Sequence, residues 1–311
     1  MVRCFRPGVP ATAALVILGF LLAATPVHAK LNIVATLPDL AAIAGAVGGN
    51  LVEITTLARP TEDAHFVDPK PSFIVKLNRA QALIEGGAEL ELGWLPPLLE
   101  SSRNTRIAMG APGRINASEG IQMLEVPAAL DRSKGDVHAL GNPHFLTDPV
   151  NAKIAARHIA ESLGALDRQN AATYQANAQK FADQIDAKLP EWERLLAPYK
   201  GRRIVAYHNA WPYFTRRFGL RIDLFLEPKP GIPPSPAHLA GVIATIKREN
   251  IQLIFVDPYV SQRTAEMVAR NTGAKVVPVS YFPGGLKGTD GDYIKLMDTL
   301  VKSVAGAFEG K

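Results

Sequence analysis

Residues 167–197 read DRQNAATYQANAQKFADQIDAKLPEWERLLA, a charged, alanine-rich stretch in mid-chain. Within it, Tyr174, Ala178, Phe181, Ile185, Leu189, Trp192 and Leu196 recur every three or four residues. That recurrence puts them on one face of an α-helix of about 3.6 residues per turn. At about 1.5 Å per residue, some 30 residues reach about 45 Å, longer than the radius of an ordinary domain. Pro190 lies inside the pattern and cannot donate to the helix ladder, so it is expected to kink the helix or split it in two. So long a helix, placed centrally, reads as a strut between two bodies.

Both flanks alternate strands with helices. Upstream, residues 31–37 (LNIVATL), 51–57 (LVEITTL), 80–84, 106–109 and 121–124 are strand candidates, and the helix-like 40–47 ends at Gly48-Gly49. Downstream, strand candidates at 203–207, 221–226, 251–256 and 275–279 are spaced by helical segments near 235–249, 262–272 and 292–308. Such alternation predicts parallel sheets covered by helices on both faces. The expected fold is α/β in two lobes, residues 30–165 and 198–311, joined by one long helix over 166–197. Residues 228–236 (PKPGIPPSP) read as a rigid, extended loop.

The chain has 311 residues, 47% of them hydrophobic, which argues against wholesale disorder. Its 34 Lys and Arg against 29 Asp and Glu give a formal charge of +5, too dilute for a nucleic-acid partner. The first thirty residues sharpen this. Arg3 and Arg6 precede an apolar run over 11–24, and small residues surround Ala29. This is the pattern of a secretory signal peptide, cleaved after Ala29. A membrane span needs about 20 apolar residues, more than this run supplies. Cys4 lies ahead of the run, where a lipoprotein cysteine would not be. Cleavage removes Arg3, Arg6 and Cys4 but no acid, leaving +3 and no thiol. Disulfides and thiolate metal sites are thereby excluded.

Seven histidines remain to be read. His28 belongs to the leader. His158 sits in a helical stretch, His238 opens a helix after the proline-rich loop, and His138 is expected in a solvent-exposed polar loop. His65, His144 and His208 differ: each stands near a strand or helix boundary, where parallel α/β proteins build ligand sites. Their spacings of 79 and 64 residues exclude a zinc finger, whose ligands are local. Three neutral imidazoles plus one further ligand suit tetrahedral Zn²⁺. Spacing alone, however, fits separate loop histidines better.

Three motifs shift that balance by resemblance. Asn142-Pro143-His144-Phe145-Leu146-Thr147-Asp148-Pro149 resembles the Asn/Asp-Pro-His-x-Trp-Leu-Asp-Pro of the metal-specific solute-binding proteins of bacterial ABC importers, the zinc and manganese group. His65 with Pro69 and Pro71 is similar to that family's first histidine segment. Tyr207-His208-Asn209-Ala210 with Tyr213-Phe214 is similar to the third, and Phe255-Val256-Asp257-Pro258 to a fourth. The resemblance covers essentially the whole mature chain. It implies two α/β lobes on a long helix, with Zn²⁺ (or Mn²⁺) as transported cargo in the cleft, held by His65, His144 and His208. It implies a monomer in the periplasm, a membrane permease and its ATPase as partners, and a metallochaperone as a further candidate.

The fourth ligand is less clearly marked. Relatives commonly take an Asp from the last strand, but residues 277–283 (VPVSYFP) carry no acid. Asp257 is the substitute by position. It can equally cap the turn before Pro258 or hold a ligating histidine, and Asp290, Asp292 or water remain alternatives. Zinc members often carry a long His/Asp-rich loop before the second histidine; here only residues 131–140 stand there, with His138. A histidine at 208, where manganese-selective relatives tend to carry Glu, favours zinc, since manganese prefers more oxygen. Two readings compete. A secreted zinc hydrolase lacks His-Glu-x-x-His, with only Glu62 and Asp63 near His65 as acids. An organic-solute binder would need a larger cleft, lined by aromatics such as Trp94, Trp211 and Tyr213, which read better as packing residues.

Overall fold

The computed structural model describes residues 1–2, 29–129, 135 and 138–310. The leader's apolar run and Cys4 lie outside the described residues, as does most of 131–137.

The first half runs β1 (Leu31–Ala35), α1 (Pro38–Gly48), β2 (Val52–Thr56), α2 (Pro71–Arg79), β3 (Ala82–Glu85), α3 (Leu95–Ser102) and β4 (Arg114–Asn116). Two helices follow, α4 (Pro149–Leu166) and α5 (Ala171–Leu196). The second half runs β5 (Arg203–Ala206), α6 (Pro212–Phe218), β6 (Arg221–Phe225), α7 (Pro236–Glu249), β7 (Leu253–Val256), α8 (Gln262–Thr272), β8 (Lys275–Pro278) and α9 (Tyr293–Glu309). Each half builds one wholly parallel four-stranded sheet, ordered β2-β1-β3-β4 and β6-β5-β7-β8. The strand order is the same in both, although the sequence shows no strong internal repeat. Central strands are continuous apolar runs because helices cover both faces: all four residues of β7 are buried. The edge strands β2 and β6 keep polar residues half exposed.

Proline starts several helices, where its missing N–H is no loss. α4 is the best capped: Pro149 opens it, and Asp148 Oδ1 accepts from the Val150 N–H at 2.9 Å. α5 runs unbroken through Pro190, so the expected split does not occur. An interior proline costs about 3 kcal/mol. Burial of Tyr174, Phe181, Ile185, Trp192 and Leu196 offsets this, at about 1.5–3 kcal/mol per large apolar side chain. The helix also ties the halves together. Asn177 Nδ2 donates to Val47 O on α1 at 2.9 Å, and Trp192 Nε1 donates to Asp298 Oδ1 on α9 at 3.2 Å. One hydrophobic core runs from the first sheet past α4, α5 and α9 into the second. A smaller cluster under α7 and α8 covers the second sheet's other face.

Two predicted strands are absent. Residues 106–109 fall on a 3-10 turn, Thr105–Ile107, and 121–124 are irregular; the fourth strand is Arg114–Asn116 instead. The short apolar run around Ile107 buries that one side chain in the core without pairing to a neighbouring strand. Among the described residues, no helix is long and apolar enough to cross a membrane.

Two buried acids lie under the first sheet's carboxyl edge. Glu91 accepts from Thr36 Oγ1 at 2.6 Å and from the Gly86 and Gly87 N–H groups at 2.6 and 3.2 Å. Burial pushes Asp39 and Glu91 each up to about 7. A carboxyl raised above its unfolded value stabilises the fold fully only below about pH 4, and the contribution is lost as pH rises towards 7. Asp39→Asn cannot ionise. Its stability relative to the parent, read as urea midpoints of chelator-treated protein, should therefore improve from about pH 4 to about pH 7 and level off by about pH 8. A constant difference across that range would mean that Asp39 is not held neutral.

Candidate metal centre

Parallel strands end on one side, so both sheets deliver their loops to the same cleft. His65 lies on the loop between β2 and α2. Asp63 Oδ1 accepts from both the backbone N–H and Nδ1–H of His65, each at 2.9 Å. A carboxylate only accepts, so this contact uses the Nδ1–H and leaves Nε2 of His65 on the ring's other side. His208 lies two residues beyond β5. Its Nδ1–H donates to Glu227 Oε1 at 2.5 Å, which again leaves Nε2 as the free donor atom. His144 stands just before α4. Asn142 Oδ1 accepts its backbone N–H at 3.0 Å, and Thr147 Oγ1 donates to its carbonyl at 2.9 Å. Gly141 makes this approach possible: at φ +103°, a Cβ there would stand 2.6 Å from Leu124 O.

The three histidines, expected together, do converge. Their nearest ring nitrogens lie within 4.8 Å of one another, and ring centroids are 5.2–5.3 Å apart. All three are buried. His144 Nε2 has no hydrogen-bond partner. Burial, together with the imidazoles of His65, His208 and His138, holds the His144 pKa well below the ordinary range, so the ring is neutral. Burial alone would lower His208 as well, but the Glu227 carboxylate outweighs it and the net shift is upward. Burial also works to raise Asp63, yet its bonds to His65 win and hold it ionised.

Asp257 follows β7 directly, at the strand-order switch point of the second sheet. It is fully buried and neither carboxylate oxygen has a hydrogen bond. Burial pushes it up to about 7, against the pull of His208. The Trp211 indole lies close enough to favour the ionised form, though its N–H completes no hydrogen bond. Asp257 stands outside the cluster of three nitrogens. Asp290 and Asp292 are elsewhere: Asp292 caps α9, and Asp290 lines a groove beside α1. Glu62 turns away to Arg59. Trp94, Trp211 and Tyr213 are packed in the core, as their type suggested. His158 is half-buried beside Glu119. His238 Nε2 lies 3.1 Å from the Phe225 carbonyl.

Three participants were not foreseen. His138 is half-buried rather than solvent-exposed, and its Nε2 lies 3.1 Å from His65 Nε2. Since His65 Nδ1–H is given to Asp63, His138 Nε2–H donates to the lone pair of His65. Its place six residues before His144 was the available signal. Glu227, at the end of β6, was readable only as an acid following a strand. Glu125 accepts from Asn142 Nδ2 at 3.0 Å and Asn209 Nδ2 at 2.8 Å, at the mouth of the cleft. The cleft has a volume of about 90 Å³. Organic ligands fill several hundred. This one suits an ion and a few waters.

Among relatives, the iron-binding protein YfeA of Yersinia pestis is 29% identical over 287 residues, 90% of this chain and 86% of that protein. The manganese ABC transporter substrate-binding lipoprotein PsaA of Streptococcus mitis is 23% identical over 89% of this chain and 88% of its own. A crystal structure of a ZnuA deletion mutant with zinc bound superposes with TM-score 0.75 at 26% identity, covering 90% of this chain and 98% of that one. Residues 33–307 match the family described as "ZnuA: Zinc-uptake complex component A periplasmic", and the chain belongs to that family.

Proposed function

We propose that this protein captures Zn²⁺ in the periplasm through His65, His144 and His208 and delivers it to a membrane permease driven by an ATPase. Members of the family are substrate-binding transport proteins, not enzymes. The observation that carries the reading is the unpartnered, buried Nε2 of His144 beside His65 and His208, with one ring nitrogen of each of the three within 4.8 Å of the others. A buried polar atom without a partner costs about 1–3 kcal/mol, and a cation supplies that partner. Four donors on a tetrahedral zinc at about 2.0–2.1 Å stand about 3.3 Å apart, so the three nitrogens need close by no more than about 1.5 Å. Three imidazoles favour zinc over manganese, although similar proteins carry names for iron, manganese and zinc. Metal analysis of protein taken from the periplasm, followed by competition among Zn²⁺, Mn²⁺, Fe²⁺ and a chelator, tests the choice. Preferential retention of manganese would overturn it.

His144→Ala should lower zinc affinity by more than about 100-fold, beyond what losing a mere supporting partner costs. Unchanged affinity in a chelator competition would remove His144 from the ligand set.

Imidazole must be neutral to bind metal. Glu227 favours protonated His208, so proton competition begins above the ordinary imidazole range. Zinc affinity should therefore fall steeply between about pH 7.5 and 5. A flat profile there would contradict a three-imidazole site.

The fourth position goes to Asp257, whose buried, unbonded carboxylate is the acid left uncompensated beside His208. His138 is the competitor, since it already stands against His65. Asp257→Asn should weaken zinc binding more than His138→Ala. The opposite ranking by isothermal titration would place His138 on the ion instead.

A further inference from the structure

His144 precedes α5 in the chain, with the first half, but its segment is bonded to the second. Tyr213 on α6 accepts from the Leu124 N–H at 2.9 Å and donates to the Asn142 carbonyl at 2.7 Å. Asn142 Nδ2 donates to the Asn209 carbonyl at 2.8 Å, next to His208. Arg217, also on α6, forks onto Asp148 with bonds of 2.9 and 3.0 Å. Tyr293 on α9 donates to the Leu146 carbonyl at 2.6 Å. These bonds bracket His144 on both sides. Asp148 is only 5% exposed, so its charge is satisfied by Arg217 and by the α4 cap rather than by water. His208 is fixed to the same body by Glu227.

His65 is held differently. Its loop, between β2 and α2, has no helix or strand of its own. The loop is anchored at its start by the Leu57 and Ala58 N–H groups and near its middle by Trp94 Nε1 on the Ala64 carbonyl, 2.9 Å. The other hydrogen bonds seen for residues 59–66 are local turns and the contacts of Arg59 and Asp63. The partner of its Nε2 is His138, whose N–H occupies the lone pair that an ion would take. Closing the nitrogens to tetrahedral spacing must move something; Ala58, Ala64 and Val67 pack into the core, but among the described residues this loop is the one carrier with no hydrogen bond to the second half.

We propose that His144 and His208 form a preset two-nitrogen half-site, locked by Arg217, Tyr213 and Tyr293 as positioning residues, and that His65 alone swings to close on the ion and to release it. The proposal rests on the metal-capture reading above. Loading exchanges the His138 N–H for the ion at His65 Nε2. The lobes themselves stay fixed, because one core runs through both.

The mature chain has no cysteine, so spin-label pairs can be placed at will. Phe66, Val126 and Ile232 are exposed, on the His65 loop, beside the clamped Leu124–Glu125 and in the second half respectively. Pairs of Cys substitutions at 66/232 and 126/232 should behave oppositely on adding zinc. The first distance distribution should narrow and shift; the second should not change. In a parallel titration, His65→Ala should still take one zinc per chain, more weakly, whereas His144→Ala should not. Adding Arg217→Gln to His65→Ala should weaken the residual site by a further 10- to 100-fold or so, with partial rescue by Arg217→Lys. A purely structural role for Arg217 would lower the melting temperature and leave that residual affinity alone, which overturns the clamp. A 126/232 distance that shifts as far as 66/232 overturns the half-site while leaving zinc capture intact. A parent protein that takes no zinc overturns both.

Discussion

A buried imidazole serves a cation only if it stays neutral and offers one particular nitrogen. His144 meets the first condition, and His65 and His208 meet the second. His65 and His208 each give Nδ1–H to a carboxylate, from Asp63 and Glu227, which fixes the ring and turns Nε2 inward. His144 has no such partner on its ring, and burial among other imidazoles keeps it neutral. Its Nε2 is left with nothing to bond, a cost that a native core ordinarily avoids. The placement of sheets, helices and loops makes sense as the means of holding that costly arrangement together.

Parallel sheets supply the geometry. All strands of a parallel sheet end at one edge, and both sheets here present that edge to a common cleft. β5 leads to His208, β6 to Glu227 and β7 to Asp257, so three neighbouring strand ends furnish a ligand candidate, its orienting acid and an uncompensated acid. α5 keeps the two edges opposed, because its buried face is shared by α1 on one side and α9 on the other. A core that continues through both lobes resists hinge bending, and rearrangement is left to the loops.

Much of this was legible beforehand, for identifiable reasons. Helix period and strand alternation reflect burial on one face, so seven of the eight strands and α5 could be read where apolar residues recur strictly. The reading failed where an apolar run is short: residues 106–109 bury Ile107 in a 3-10 turn, and three residues of β4 carry too little pattern to stand out. The split considered at Pro190 does not occur, because a local penalty was weighed without the packing along the rest of the helix. His65, His144 and His208 could be singled out by their neighbours in motifs. His138 could not, because its approach to His65 depends on how a loop folds back across the cleft. The clamp formed by Arg217, Tyr213 and Tyr293 was equally hidden, since it joins residues 69 to 147 positions apart.

The absent acid near the end of the last strand bears on metal choice. Residues 277–283 bring Tyr281 to the centre instead, its ring centroid 5.0 Å from that of His144. Tyr281 Oη donates to Tyr259 Oη at 3.1 Å. Burial, aided by Asp63 and Asp257, holds the Tyr281 pKa well above the ordinary phenol range, so it stays neutral and offers no anionic oxygen. Among the described residues, Asp257 is the buried acid whose two carboxylate oxygens have no hydrogen bond. On the proposed ligand set, manganese, which gains most from several hard oxygens, would find one oxygen donor against three nitrogens.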